Sequence, residues 1–93
     1  AWAMLGFAEQ LEIMSQTDEA ELTEVGGKAA VLTMLREAAE ATSDFYIAHT
    51  PTDGIPYWDT GAPGLFYLGD YLDRPAEPFN AYEPVDSSAA AIA

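Results

Sequence analysis

Trp2 stands one helical turn before Gly6 in the opening Ala1-Trp2-Ala3-Met4-Leu5-Gly6-Phe7-Ala8. On a helix face that spacing leaves a flat indole with open room beside it. Sugar rings stack on such floors through their apolar C–H faces, and the indole N–H can donate to a hydroxyl. The same pair serves equally as core, with Gly6 letting a neighbouring helix come close. A second group is Pro51-Thr52-Asp53-Gly54-Ile55-Pro56-Tyr57-Trp58-Asp59. Asp53-Gly54 is a turn signal, Ile55 to Trp58 reads as a short extended segment, and Asp59 offers a carboxylate to a backbone amide or a hydroxyl. Trp58 then either lines a site or plugs a structural turn. The third group is Asp86-Ser87-Ser88, ahead of an alanine-rich run. One of the three caps a helix, and the first-turn amides there suit an anion such as a sugar carboxylate. Capping alone accounts for these residues as well.

Other chemistries lack their residues. His49 is the single histidine and sits at a helix end, where it meets the last carbonyls. It cannot build a metal site by itself, and the carboxylates lack calcium-loop spacing. Gly61-Ala62-Pro63-Gly64 has no lysine for a phosphate loop, and Ser87 has no flanking elbow glycines. Carboxylates abound, but spacing selects no glycosidase pair among them. No cofactor is implied. Sixteen acidic residues face only Lys28, Arg36 and Arg74, a formal net charge of -13 that repels nucleic acid and anionic membranes. The apolar runs are far shorter than a membrane span. Cysteine is absent, which excludes a disulfide framework and thiolate-metal sites. With 49% hydrophobic residues the composition is that of a folded protein.

The elements that must position these groups are mainly helical. Met4, Phe7, Ala8, Leu11 and Met14 fall on one stripe of a helix from Trp2 to Met14, while Trp2, Gly6 and Ile13 lie on its opposite side. Ser15 to Gly27 is a polar connection with a short helical turn around Asp18 to Glu24, broken at Gly26-Gly27. A second helix runs from about Lys28 to about His49. Leu32, Leu35, Ala39, Thr42 and Tyr46 form its stripe, with Ala38 and Phe45 alongside, and Thr50-Pro51 stops it. The segment 50–85 reads as a long irregular loop. Its wealth of proline together with Tyr57, Trp58, Phe66, Tyr67, Tyr71, Phe79 and Tyr82 marks a functional loop, since flexible linkers lack bulky apolar groups. A third helix starts after Asp86. Both ends read as cut, because the chain opens inside a helix and closes barely two turns into another.

Three blocks carry a resemblance. Ala1-Trp2-Ala3-Met4-Leu5-Gly6-Phe7-Ala8, Asp53-Gly54-Ile55-Pro56-Tyr57-Trp58-Asp59 and Asp86-Ser87-Ser88-Ala89-Ala90-Ala91-Ile92-Ala93 occur in this order in the unsaturated glucuronyl hydrolases, glycoside hydrolase family 88. The chain resembles a part of the C-terminal half of such an enzyme. The resemblance implies an all-α fold in which residues 1–93 form part of a single (α/α)6-barrel catalytic domain: two main helices, a long aromatic loop and the start of a third helix. It implies a hydrolase that removes 4,5-unsaturated uronic acid from lyase-generated oligosaccharides by hydrating the vinyl ether. The family's two catalytic aspartates match no residue of this chain, which on this reading is inactive alone. Trp2 matches a family tryptophan lining the sugar subsite. Asp86 and Ser87 match a motif at the cleft side of the barrel, where a site-lining role is implied. The stretch Thr60–Val85 is longer than the family's connection and reads as an insertion.

Two alternatives stand beside this. An acidic helical module could bind a protein partner through its aromatic loop without catalysis. A rhamnogalacturonyl hydrolase-type enzyme would share the helical barrel, although the Tyr57-Trp58-Asp59 and Asp86-Ser87-Ser88 blocks favour the glucuronyl family.

Overall fold

Helix α1 spans Trp2–Gln16, two residues beyond the last position of its apolar stripe. It ends where side-chain hydroxyls fold back on the backbone: Ser15 Oγ donates to the Glu12 carbonyl at 2.6 Å and Thr17 Oγ1 to that of Ile13 at 3.1 Å. Asp18, in extended conformation, starts the short helix α2, Glu19–Leu22, which tightens into a 3-10 turn over Thr23–Val25. The expected turn around Asp18 to Glu24 is therefore present. Gly26 and Gly27 close it at φ +103° and +87°. The Gly27 amide bonds the Leu22 carbonyl at 2.9 Å and the Gly26 amide that of Thr23 at 3.2 Å. This pair of bonds is a Schellman ending, and its left-handed residue is most cheaply a glycine.

Helix α3, Lys28–Ala48, starts directly after this turn. Its first amide, on Lys28, donates to Glu19 Oε1 at 3.2 Å, while the Lys28 ammonium donates to the Thr17 carbonyl at 2.8 Å. One residue thus serves two helix ends: its amide is capped by a carboxylate, and its positive charge lies beyond the C-terminus of α1, where the dipole favours it. Leu35 is buried and Leu32, Ala38, Ala39, Thr42 and Tyr46 are half-buried, in keeping with the expected stripe. Phe45 departs from it. Its ring is exposed and stacks on His49 at 4.0 Å between centroids, because on a helix a residue pairs with the one four positions on. His49 Nδ1 lies 2.8 Å from the Phe45 carbonyl, and Thr50 Oγ1 donates to that of Tyr46 at 2.7 Å. Buried Pro51 prevents any further turn.

The computed structural model describes every residue from Ala1 to Ala93. Helix, α and 3-10 together, accounts for 62% of the chain and no strand is present, so the class is all-α. Trp2–Asp44 forms one compact unit and Phe45–Ala93, with Ala1, the other, the boundary falling inside α3.

Within the second unit, segment 50–85 carries two 3-10 turns, Pro63–Leu68 and Tyr71–Asp73, before the short helix α4, Ser87–Ile92. Its ends meet in an isolated antiparallel bridge between Tyr57 and Val85. The Trp58 amide donates to the Pro84 carbonyl and the Asp86 amide to the Pro56 carbonyl, both at 2.9 Å. Under this closure Tyr57, Ala62, Leu65 and Leu68 form a buried cluster, flanked by Tyr71, Ala76 and Val85. Tyr71 meets Tyr57 edge to face at 5.8 Å, and the Tyr57 hydroxyl accepts the Glu77 amide at 3.1 Å. The proline-rich stretch consequently owns a small core, which is why bulky aromatics occur there.

Gly64 is a contact point in this unit. A Cβ there would stand 2.5 Å from Glu83 Oε1, 2.7 Å from Cγ and 2.9 Å from Cδ. Gly64→Ala therefore must expel the Glu83 carboxylate, and we expect a loss of roughly 1–3 kcal/mol, read from the urea midpoint. Gly6→Ala provides the contrast. No foreign atom lies within 4 Å of its Cβ position, so this helical substitution is expected to stabilise by about 0.5–1 kcal/mol.

Candidate functional site

Trp2 is the second residue of the chain and the first of α1, and 73% of its surface is exposed. A Cβ built at Gly6, one turn further along the helix, would meet no atom within 4 Å outside the helix's own backbone. No side chain of α1 is fully buried. The Cβ position of Gly6 is thus unfilled, and most of the Trp2 surface is open.

Trp58 is 54% exposed but held firmly by one edge. Its backbone amide belongs to the bridge, and its indole Nε1 donates to Glu83 Oε2 at 2.5 Å. Glu83 Oε1 accepts the Gly64 amide at 2.8 Å. The backbone of Glu83 is fixed in turn by Asn80, whose Oδ1 accepts the Tyr82 and Glu83 amides at 2.8 and 2.7 Å and whose Nδ2 donates to the carbonyls of Glu77 and Glu83. A plug would bury the ring; here its edge is tied down and its face is open. Beside this node Tyr67 and Tyr82 stack in parallel, centroids 5.1 Å apart and planes 20° apart, with Phe66 turned edge-on to Tyr67. Asp59 Oδ1 accepts the Gly61 amide at 2.8 Å, an Asx turn.

Asp86 is the N-cap of α4. Its Oδ1 accepts the amides of Ser88 at 2.9 Å and Ala89 at 3.2 Å, and the Ser88 hydroxyl at 2.6 Å. These amides are the ones an incoming anion would need, so the anion-binding reading of this helix start loses its donors to the chain's own carboxylate. Ser87 is exposed as the first residue of α4. The Ser88 hydroxyl, then the Ala89 amide, hold the Asp86 carboxyl below its ordinary 3.8. Nearby, the Tyr46 hydroxyl reaches the Ala89 carbonyl at 3.4 Å, and its partial burial raises its pKa.

The bridge brings the Trp58 and Asp86 segments together, hydrogen-bonded through Pro56 and Pro84. Trp2 belongs to the other unit. Spacing pointed to Trp58 and Asp86 but missed Glu83 and Asn80, whose work lies in contacts with residues distant in sequence. Asn80 alone left a local trace, as a turn-forming residue three positions before Glu83. No group of three or more His, Asp or Glu side chains is placed to hold a metal ion.

The Asp86 cap has a defined pH dependence. Its folded-state pKa lies below the unfolded value, so its contribution is complete above the unfolded pKa and disappears as pH falls through the lower, folded one. The protection of the Ser88 and Ala89 amides in the wild type, measured as exchange relative to an unstructured chain at the same pH, should fall once the pH drops below about 4. Asp86→Asn retains a capping oxygen but cannot titrate, so its exchange protection should lack that step.

Compared with known protein families, with curated proteins and with solved structures, the chain matches none.

Proposed function

We propose that this chain forms part of the sugar-binding region of a hydrolase resembling the unsaturated glucuronyl hydrolases, and that Trp2 stacks on the unsaturated uronyl unit. The observation that carries this reading is the exposure of Trp2 one turn from Gly6, whose Cβ position is unfilled. A pyranose presents one apolar C–H face and a rim of hydroxyls, which suits an indole accessible on its face. Further support comes from the bridge, since it joins two of the three blocks on which the resemblance rests, Asp53–Asp59 and Asp86–Ala93. In this reading Trp58, Asp86 and Ser87 are site-lining residues of the enzyme. Asp86 does so as a fixed acceptor and not as a proton carrier, because its carboxylate is committed to the α4 amides. The hydration of the vinyl ether is assigned to carboxylates outside these 93 residues, and the helices would lie in an (α/α)6 barrel. The chain itself then binds sugar weakly and turns none over.

A second reading has its own observation. Phe66 is 86% exposed and Phe79 entirely so, more apolar surface than a solvated loop requires. An acidic helical module that docks a protein partner through these rings would explain them without a sugar.

A titration with a lyase-generated unsaturated uronyl disaccharide, followed by tryptophan fluorescence, separates the two. On the hydrolase reading the disaccharide perturbs the emission, and Trp2→Ala raises Kd by roughly tenfold, the size of one aromatic stacking contact. In the longer enzyme that this reading requires, the ultraviolet absorbance of the conjugated double bond should fall with time. A chain indifferent to every such disaccharide, together with a longer enzyme that leaves the absorbance unchanged, would remove the sugar reading.

A further inference from the structure

We infer that Glu83 is a positioning residue that locks the Trp58 indole as a second sugar-stacking floor, an assignment that rests on the sugar-binding reading above. Every hydrogen-bonding group of Glu83 is engaged. Its two carboxylate oxygens take the Trp58 indole N–H and the Gly64 amide, and its backbone amide and carbonyl are both held by Asn80. The carboxylate can sit there only because residue 64 has no side chain. Trp58 is in turn anchored through its own backbone by the bridge to Pro84. A tryptophan on a loop ordinarily samples several rotamers, and a ligand that stacks on it must stop that motion at an entropic cost. Fixing the N–H edge to a carboxylate from the opposite arm of the loop removes the cost in advance, while leaving the ring face exposed.

The arrangement has a chemical consequence for the ligand. With its N–H taken by Glu83, Trp58 cannot donate to a sugar hydroxyl and offers only its π face. Recognition at Trp58 is therefore of an apolar ring face, and not of hydroxyl pattern. Trp2, whose N–H has no partner within the chain's hydrogen-bond network, can offer both.

Trp2 and Trp58 are the only tryptophans, so Trp2→Phe isolates the Trp58 signals. In that background Glu83→Ala should accelerate solvent exchange of the Trp58 indole N–H at least tenfold and lower its fluorescence anisotropy. Glu83→Gln keeps one acceptor oxygen for two donors and should fall between. A folding defect is recognised separately, from far-ultraviolet circular dichroism. The unsaturated uronyl disaccharide is the probe for the second arm. Glu83→Ala should raise its Kd several-fold in a chain with Trp58, and should add nothing once Trp58→Ala is present, because Glu83 acts through that ring. Unchanged indole exchange in Glu83→Ala would overturn the lock. Additive effects of the two substitutions on Kd would overturn its role in binding. If the indole responds as expected but the disaccharide binds no variant, including the wild type, the sugar reading itself fails, and the intact spectroscopic arm distinguishes that failure from one of Glu83.

Discussion

The second unit depends on two backbone hydrogen bonds, Trp58 N–H to Pro84 and Asp86 N–H to Pro56. Bringing Tyr57 and Val85 together confines the residues between them, at a cost of about 3 kcal/mol from the logarithmic closure term. Two backbone bonds, each contributing about 1 kcal/mol net, do not cover it. Burial of Leu65 and Leu68, worth about 1.5–3 kcal/mol each, does. The bridge and the cluster beneath it are therefore one interaction: without the cluster the ends would part, and without the bridge the cluster would have no lid. Trp58, Glu83 and Asp86 all hang from this closure, so whatever they do is inherited from it.

Five of the sixteen acidic side chains are used as structure. Glu19 accepts the first amide of α3, Asp53 the amides of Ile55 and Ala76, Asp59 that of Gly61, Glu83 that of Gly64 and Asp86 those of Ser88 and Ala89. By contrast there is one ion pair, Arg74 with Glu77 at 3.2 Å. With only three cations in the chain, these five carboxylates are satisfied by backbone N–H groups at turns and helix starts, where amides lack other partners.

What was legible in the sequence follows the range of the interactions involved. The stripe of Met4, Phe7, Leu11 and Met14 and that of Leu32, Leu35, Ala39 and Tyr46 repeat within a helix, so α1 and α3 could be drawn from spacing alone. Gly26-Gly27 and Asp86 announce a helix end and a helix start by their own conformational preferences. The two 3-10 turns within 50–85 could not be read, because short turns carry no periodicity and their cluster is assembled from residues far apart in the chain. Spacing puts Phe45 alongside the stripe, whereas its ring is exposed and stacks on His49, a difference between two neighbouring helix faces that periodicity resolves poorly. Glu83 was invisible for the same reason as the turns: its partners stand 19 and 25 residues earlier.

The register of the bridge decides which ring is core and which is available. In extended backbone adjacent side chains point to opposite faces, so Tyr57 and Trp58 cannot both be buried by the same closure. Tyr57 goes inward, 3% exposed, with its hydroxyl bonded to the Glu77 amide, and Trp58 goes outward. The opposite choice is chemically possible, since either ring could fill a small apolar cluster. A slip of one residue would make that exchange, and it would also separate the indole N–H from Glu83 and leave the Glu77 amide without the phenol. Four contacts thus select one register: the two bridge bonds, the buried phenol and the carboxylate on the indole. The exposure of Trp58 is consequently a specified feature of the fold, maintained by the same bonds that close the loop, and not surface left over after the core was filled.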